Sequence, residues 1–180
     1  AYTLWGLFPL YFHGLGAASA VEVIAHRIVW TFVLMVAVVS VRGSWGRLRA
    51  LGSDRRRLVR TWIAGALLSL NWFVYVWAVL HDAVIDASLG YFINPIVTVA
   101  LGIAVLGESL TRLQAVAVGF GLGAVAVLVA GYGAVPWISL GLAATFSLYT
   151  LLKKTVDVDT VTSLTSETAF VFPFAVGILA

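Results

Sequence analysis

The sequence predicts an all-α polytopic membrane protein with seven transmembrane segments. Three observations predict it. Of 180 residues, 62% are hydrophobic and 11% charged, with a mean hydropathy of +1.04. Apolar stretches recur at the length that crosses a bilayer as a helix, about 20 residues. The basic residues gather in alternate connections, seven Arg of them between residues 42 and 60. A soluble domain of this size has far more polar surface to show water. Membrane β-barrels are excluded, because their strands are short and alternating, not uncharged runs rich in Ala, Leu and Gly.

The expected segments cover residues 1–12, 19–41, 61–80, 87–107, 114–132, 133–152 and 160–180, the first and last truncated. The third and fourth carry no charge at all. Their order sets the topology. Loops that stay in the cytoplasm retain Lys and Arg. Placing Arg42, Arg47, Arg49, Arg55, Arg56, Arg57 and Arg60 inside also puts Arg112, Lys153 and Lys154 inside, ten of the eleven basic residues. The outer connections, 14–18, 81–86 and 132–136, then contain no Lys or Arg. This predicts a cytoplasmic N-terminus. Trp62, Trp77, Tyr132 and Trp137 stand at segment ends, where amphipathic rings favour the headgroup level.

The chain opens on Ala1 within an apolar run, without Met, and stops at Ala180 within another, so it is expected to be part of a longer protein. Its apolar start lacks the basic flank and cleavage site of a signal peptide. The net charge of +3 and pI near 9.5 come almost wholly from loop Arg and Lys, which orientation explains, so nucleic acid is not an expected partner. The same loop charge attracts anionic lipid headgroups. No cysteine is present, which excludes disulfides and Cys-ligated metals. His13, His26 and His81 lack the spacing and carboxylate company of a metal site. The glycines at 119, 121 and 123 follow no strand and are not a nucleotide loop. Gly119 and Gly123 instead read as a GxxxG face for close helix packing. No nucleophile elbow or catalytic dyad is apparent, and no cofactor is expected.

Polar groups inside the apolar segments are the candidates for function, since a charge in mid-bilayer must face a bundle interior or water. The second segment holds Glu22, His26 and Arg27. Glu22 and His26 are four residues apart, hence on one helical face. They face either a substrate cavity or an ion pair that locks the bundle. Asn71 and Trp72 sit mid-way along the third segment, with Tyr75 on the Asn71 face. A mid-membrane Asn usually hydrogen-bonds a neighbouring helix, and cavity lining is the other reading. In the fourth segment Pro95 frees the carbonyl of Tyr91, with Asn94 beside it, and interrupted helices mark binding sites in transporters. The alternative is a simple kink repaired by Ser or Thr. Glu108 is expected to pair with Arg112 at the following turn. Glu167, the lone charge of the last segment, is a cavity or coupling candidate.

These residues together resemble a known family. Glu22 with His26-Arg27, Asn71-Trp72, Trp77-Ala78-Val79, the run from Ala87 through Pro95, and Leu106-Gly107-Glu108 resemble the RarD-type proteins of the EamA family, within the drug/metabolite transporter superfamily. The likeness covers the whole chain in order, and the run from Ala87 to Pro95 is its most specific part. It implies ten membrane helices in two five-helix repeats of inverted topology, with a central cavity in a plasma-membrane permease for small metabolites or drugs. Residues 1–132 would be the first repeat and 133–180 the start of the second. With five helices in a repeat, an odd number, the second repeat would begin on the opposite side of the membrane, in agreement with inverted topology.

The expectation is therefore a secondary transporter, not an enzyme, that moves a small polar or amphipathic molecule by alternating access. Its cavity residues are Glu22, His26, Arg27, Asn71, Trp72, Tyr75, Tyr91, Asn94, Pro95 and Glu167. Arg27 would orient Glu22 or an anionic substrate group, and Trp72 and Tyr75 would supply apolar walls. Without a nucleotide motif, uphill transport would use an ion gradient, with protons carried by Glu22, His26 or Glu167. The rivals are a membrane-embedded enzyme acting on a lipid-like substrate and a non-transporting sensor or assembly subunit.

Overall fold

The computed structural model describes residues 2–14, 18–132 and 135–180. The expected outer connections at 14–18 and 132–136 fall in large part outside the described residues, as does the side chain of His13. The described residues form helices α1 (Tyr2–Gly14), α2 (Ala20–Arg42), α3 (Trp45–Ser53), α4 (Arg55–Leu80), α5 (Val84–Leu106), α6 (Arg112–Tyr132), α7 (Trp137–Thr155) and α8 (Thr160–Leu179), and no strand. The protein is an all-α, multi-pass membrane protein.

Five of these helices, α2, α4, α5, α6 and α8, are long and apolar enough to cross a membrane. Of the other two expected segments, α1 has 13 residues. α7 has 19 but is too polar to qualify, for a reason visible in its packing. It contacts α4 and α5, and Ser139 and Ser147 are fully buried against them. Hydropathy counts composition, not direction: Lys153 and Lys154 in the last turn lower it, and so do hydroxyls that α7 turns inward.

The Arg-rich connection is not a plain loop. Gly43, at φ +63°, ends α2, and the good helix formers Arg, Leu and Ala then build α3. Asp54 accepts from the Arg57 backbone N–H at 3.1 Å, capping α4 six residues before the segment expected from hydropathy. At the other end of the chain, Asp159 caps α8 through Thr162. Burial pushes the Asp159 carboxyl up, but hydrogen bonds with Thr162 and the nearby Arg47 outweigh this and hold it below its usual range. That cap is present at neutral pH and lost as pH falls through the lowered range.

α4 is the central helix, touching α1, α2, α3, α5, α7 and α8. α5 and α7 run parallel and in register. Ser139 Oγ donates to the Asp86 carbonyl (2.6 Å), Ser147 Oγ to Asn94 Oδ1 (2.8 Å), and Lys154 pairs with Glu108 (3.1 Å). Arg47 reaches Asp159 (3.7 Å), and Arg57 Nη1 donates to the Asp157 carbonyl (3.4 Å). These contacts bring the Arg-rich connection, the α5–α6 turn and the α7–α8 turn to one face of the bundle. They also correct the expected Glu108–Arg112 pair. Gly107, at φ +67°, folds Glu108 back toward Gly102, and the carboxylate meets Lys154 instead.

The glycines that allow close approach are also not those expected. At Gly119 and Gly123 an added Cβ would meet nothing within 4 Å, so the GxxxG face makes no helix contact among the described residues. Gly121 faces α5 instead, against Ile96. The tight crossings are at Gly65, where a Cβ would lie 2.9 Å from the Glu167 backbone oxygen, and at Gly90, where it would lie 3.0 Å from that of Ser139. Both obstacles are backbone, so a side chain forces the helices apart. Gly65→Leu should lower the stability of the full-length protein in detergent by about 1–3 kcal/mol, the usual cost of overpacking. Gly119→Ala should leave its melting temperature unchanged.

Candidate functional site

A cavity of about 840 Å³ opens between α1, α2 and α4. The stripe that α2 presents to it follows helical spacing: Glu22, His26 and Trp30 recur every four residues, with Val23 and Arg27 beside them. Phe8, Tyr11 and Phe12 from α1 and Trp72 from α4 complete most of the wall. Four residues predicted from the sequence, Glu22, His26, Arg27 and Trp72, therefore meet at one cavity.

Their roles separate on inspection. Glu22 closes a capping box. Its Oε2 accepts from the Ser19 backbone N–H (2.8 Å) and hydroxyl (2.9 Å), and Ser19 Oγ accepts from the Glu22 backbone N–H (3.3 Å). It is thus an exposed rim carboxylate whose geometry is set by the start of α2. Arg27 is not turned toward it. The guanidinium lies over the Trp72 ring, 3.7 Å from the centroid, a contact worth about 0.5–2 kcal/mol. Trp72 is braced edge-on by Tyr75 (5.8 Å between centroids) and Phe8 (6.2 Å). Tyr75, itself buried, stands edge-on to Phe12 and Tyr91. Tyr75 thus backs the wall from inside the bundle, and Tyr91, 37% exposed, stands beyond it. A cation held against an aromatic face, with an aliphatic and aromatic surround, suits an anionic group attached to an apolar body.

Four predicted residues lie elsewhere. Asn71 donates from Nδ2 to the Leu142 carbonyl and to Thr145 Oγ1, both at 2.9 Å, joining α4 to α7. Asn94 accepts from Ser147 Oγ (2.8 Å) and Thr98 Oγ1 (3.3 Å), and its own carbonyl also accepts from Ser147 (3.2 Å). Pro95, next to it, is exposed. Asn94 belongs to the α5–α7 seam. Glu167 is buried in α8, bonded to Lys153 and Ser163 of the α7–α8 pair (2.7 Å each). It lines a separate cavity of about 40 Å³ that shares Arg27 with the first.

Sequence reasoning missed Phe8, Tyr11, Phe12 and Trp30, which look like any lipid-facing aromatics until α1 is seen beside α2. It also assigned Lys153 to orientation alone. One signal was available: Asp86 and Asn94 on α5 are eight apart, as are their partners Ser139 and Ser147 on α7.

The chain is 46% identical over 177 residues to the protein RarD of Streptomyces exfoliatus, covering 98% of this chain and 56% of that protein. It is 42% identical over 183 residues to the uncharacterized transporter YojE of Bacillus subtilis, covering 99% and 61%. It is 31% identical over 185 residues to the chloramphenicol-sensitive protein RarD of Pseudomonas aeruginosa, covering 99% and 61%. The chain thus spans a little over half the length of the curated relatives it matches. No family model matches it, and no solved structure does.

The geometry assigns Asn71 to packing. Replacing it with Leu removes two hydrogen bonds in an apolar medium, each worth about 0.6–2 kcal/mol. Asn71→Leu should lower the melting temperature of the full-length protein in detergent, and binding of a ligand in the aromatic cavity should survive in the remaining folded fraction.

Proposed function

We propose, on the premise that this chain belongs to the RarD-type family, that it forms seven membrane helices of a secondary transporter for small metabolites or drugs. In this reading α1, α2, α4, α5, α6, α7 and α8 all cross the membrane, and α3 lies at the cytoplasmic surface. Residues 1–132 form one five-helix repeat and 133–180 begin a second of inverted topology, ten helices in all. The parallel run of α5 and α7, joined at both ends and in the middle, supports a full crossing by α7. The placement of the Arg-rich connection, Lys153 and Lys154 at one face supports a cytoplasmic assignment of that face in a plasma membrane.

The observation that carries the transport reading is the Arg27–Trp72 pair at the wall of a cavity large enough for a drug-sized molecule. A partly buried cation without a carboxylate costs free energy, and lining a substrate path accounts for keeping it. Arg27 takes an anionic or strongly polar group of the substrate, the aromatic wall takes its apolar body, and Glu22 and His26 at the rim meet any cationic or hydrogen-bonding part. The names of the relatives favour transport over catalysis. Protons are the proposed coupling ion, with Glu22, His26 and Glu167 the candidate carriers.

The test is the full-length protein in liposomes with an internal pH dye and labelled compounds, challenged with amino acids, nucleobases and amphenicols, with and without a pH gradient. Flux of one class is expected, with proton movement. Arg27→Gln and Trp72→Leu should each reduce it at least about tenfold, roughly the 1.4 kcal/mol of one such contact, with expression retained. Absence of flux for every compound, or unaltered flux in both variants, would reject the reading.

A further inference from the structure

The aromatic cavity leaves a buried charge cluster unexplained. Glu167 is 2% exposed. Its Oε1 accepts from both Lys153 Nζ and Ser163 Oγ, and Lys153 also donates to Ser163. Its Oε2 has no hydrogen-bond partner among the described residues. Leaving a buried acceptor unmatched is costly, so this asymmetry asks for a second donor. Glu167 lines the smaller cavity together with Arg27 and the hydroxyl-bearing Thr31, Ser69 and Thr168. A space of about 40 Å³ that several polar side chains border accommodates water. Arg27 also lines the aromatic cavity and so forms the partition between the two. Among the described residues no carboxylate lies within ion-pair distance of Arg27.

We propose that Glu167 is shared between two cations. It pairs with Lys153 in the state seen here and with Arg27 in an alternate state of the bundle, and the exchange links the aromatic cavity to the α7–α8 connection. Two cations and one carboxylate meet in this region, so one cation at a time is neutralised. Each cation has a resting place when displaced. Arg27 has the face of Trp72. Lys153, in the last turn of α7 with its side chain 27% exposed, has water. Ser163 steers the carboxylate toward Lys153, which makes it a positioning residue. An anionic group bound in the aromatic cavity would compete with Glu167 for Arg27, return Glu167 to Lys153 and so pin α7 to α8. That consequence rests on the transport reading. The exchange itself does not.

The two lysines of this chain, Lys153 and Lys154, make the test internal. Lys154 pairs with Glu108 outside the cluster. The full-length protein in liposomes is treated briefly with an amine-acylating reagent, and the ratio of modified Lys153 to modified Lys154 is read by mass spectrometry. Glu167→Gln, which releases Lys153, sets the upper limit. Trp72→Leu removes Arg27's other partner and should raise the ratio about threefold, and Arg27→Gln removes the competitor and should lower it about threefold. A ratio unchanged in both variants means a static Lys153–Glu167 clamp and overturns the proposal. If one variant is not monodisperse, the other decides in the same way. No substrate is added, so silence in the flux assay and failure here are separate results.

Discussion

In an apolar medium every buried polar group must find its partner inside the protein, and in this bundle α7 supplies most of those partners. It offers Ser139 to the start of α5, the Leu142 carbonyl and Thr145 to Asn71 of α4, Ser147 to Asn94, Lys153 to Glu167 and Lys154 to Glu108. Remove α7 and Asn71 of α4 loses both bonds of its Nδ2, while the side chains of Asn94 on α5 and Glu167 on α8 keep only the hydroxyls of Thr98 and Ser163 from their own helices. Hydrophobic burial cannot order these helices among themselves, because lipid is as apolar as their side chains. The hydrogen bonds, together with the close approaches at Gly65 and Gly90, therefore set which helices meet and in what register.

The same constraint explains how the cavity is built. α4 is spoken for on the α7 side by Asn71, so the neighbouring Trp72 turns the other way, toward α1 and α2. Arg27 follows it, and Tyr75, buried between Phe12 and Tyr91, fills the space behind. Structural and candidate functional residues are thus adjacent in sequence and opposite in direction. Asn71 and Trp72 show this at consecutive positions.

That adjacency also bears on how much the sequence discloses. The apolar runs were legible because bilayer thickness sets their length, and the described helices match them to within a few residues, with α4 starting earlier on Asp54. α3 was not legible to a search for apolar length, since its evidence is helix propensity in a basic stretch. The stripe of Glu22, His26 and Arg27 could be seen, because charges in a membrane segment stand out. Its aromatic complement could not, since Phe8 and Trp30 resemble residues that face lipid. Lys153 was misread for a different reason. Counting it as a marker of sidedness left no reason to ask what its ammonium touches, and Glu167 then looked solitary. Gly119 and Gly123 fit a packing motif, but a motif names a surface that can pack, and α6 uses Gly121 instead.

The register between α5 and α7 has a mechanical consequence. Bonds near the top, middle and bottom tie these two parallel helices together at matching heights. Sliding one past the other would break all three at once, and bending one alone would break the middle pair. The two are thus a single stiff beam, and any rocking of the bundle must be taken up at its joints with the other helices. The soft seam is then the one between α7 and α8, which the short stretch after Thr155 connects and which Lys153 spans to Glu167 and Ser163.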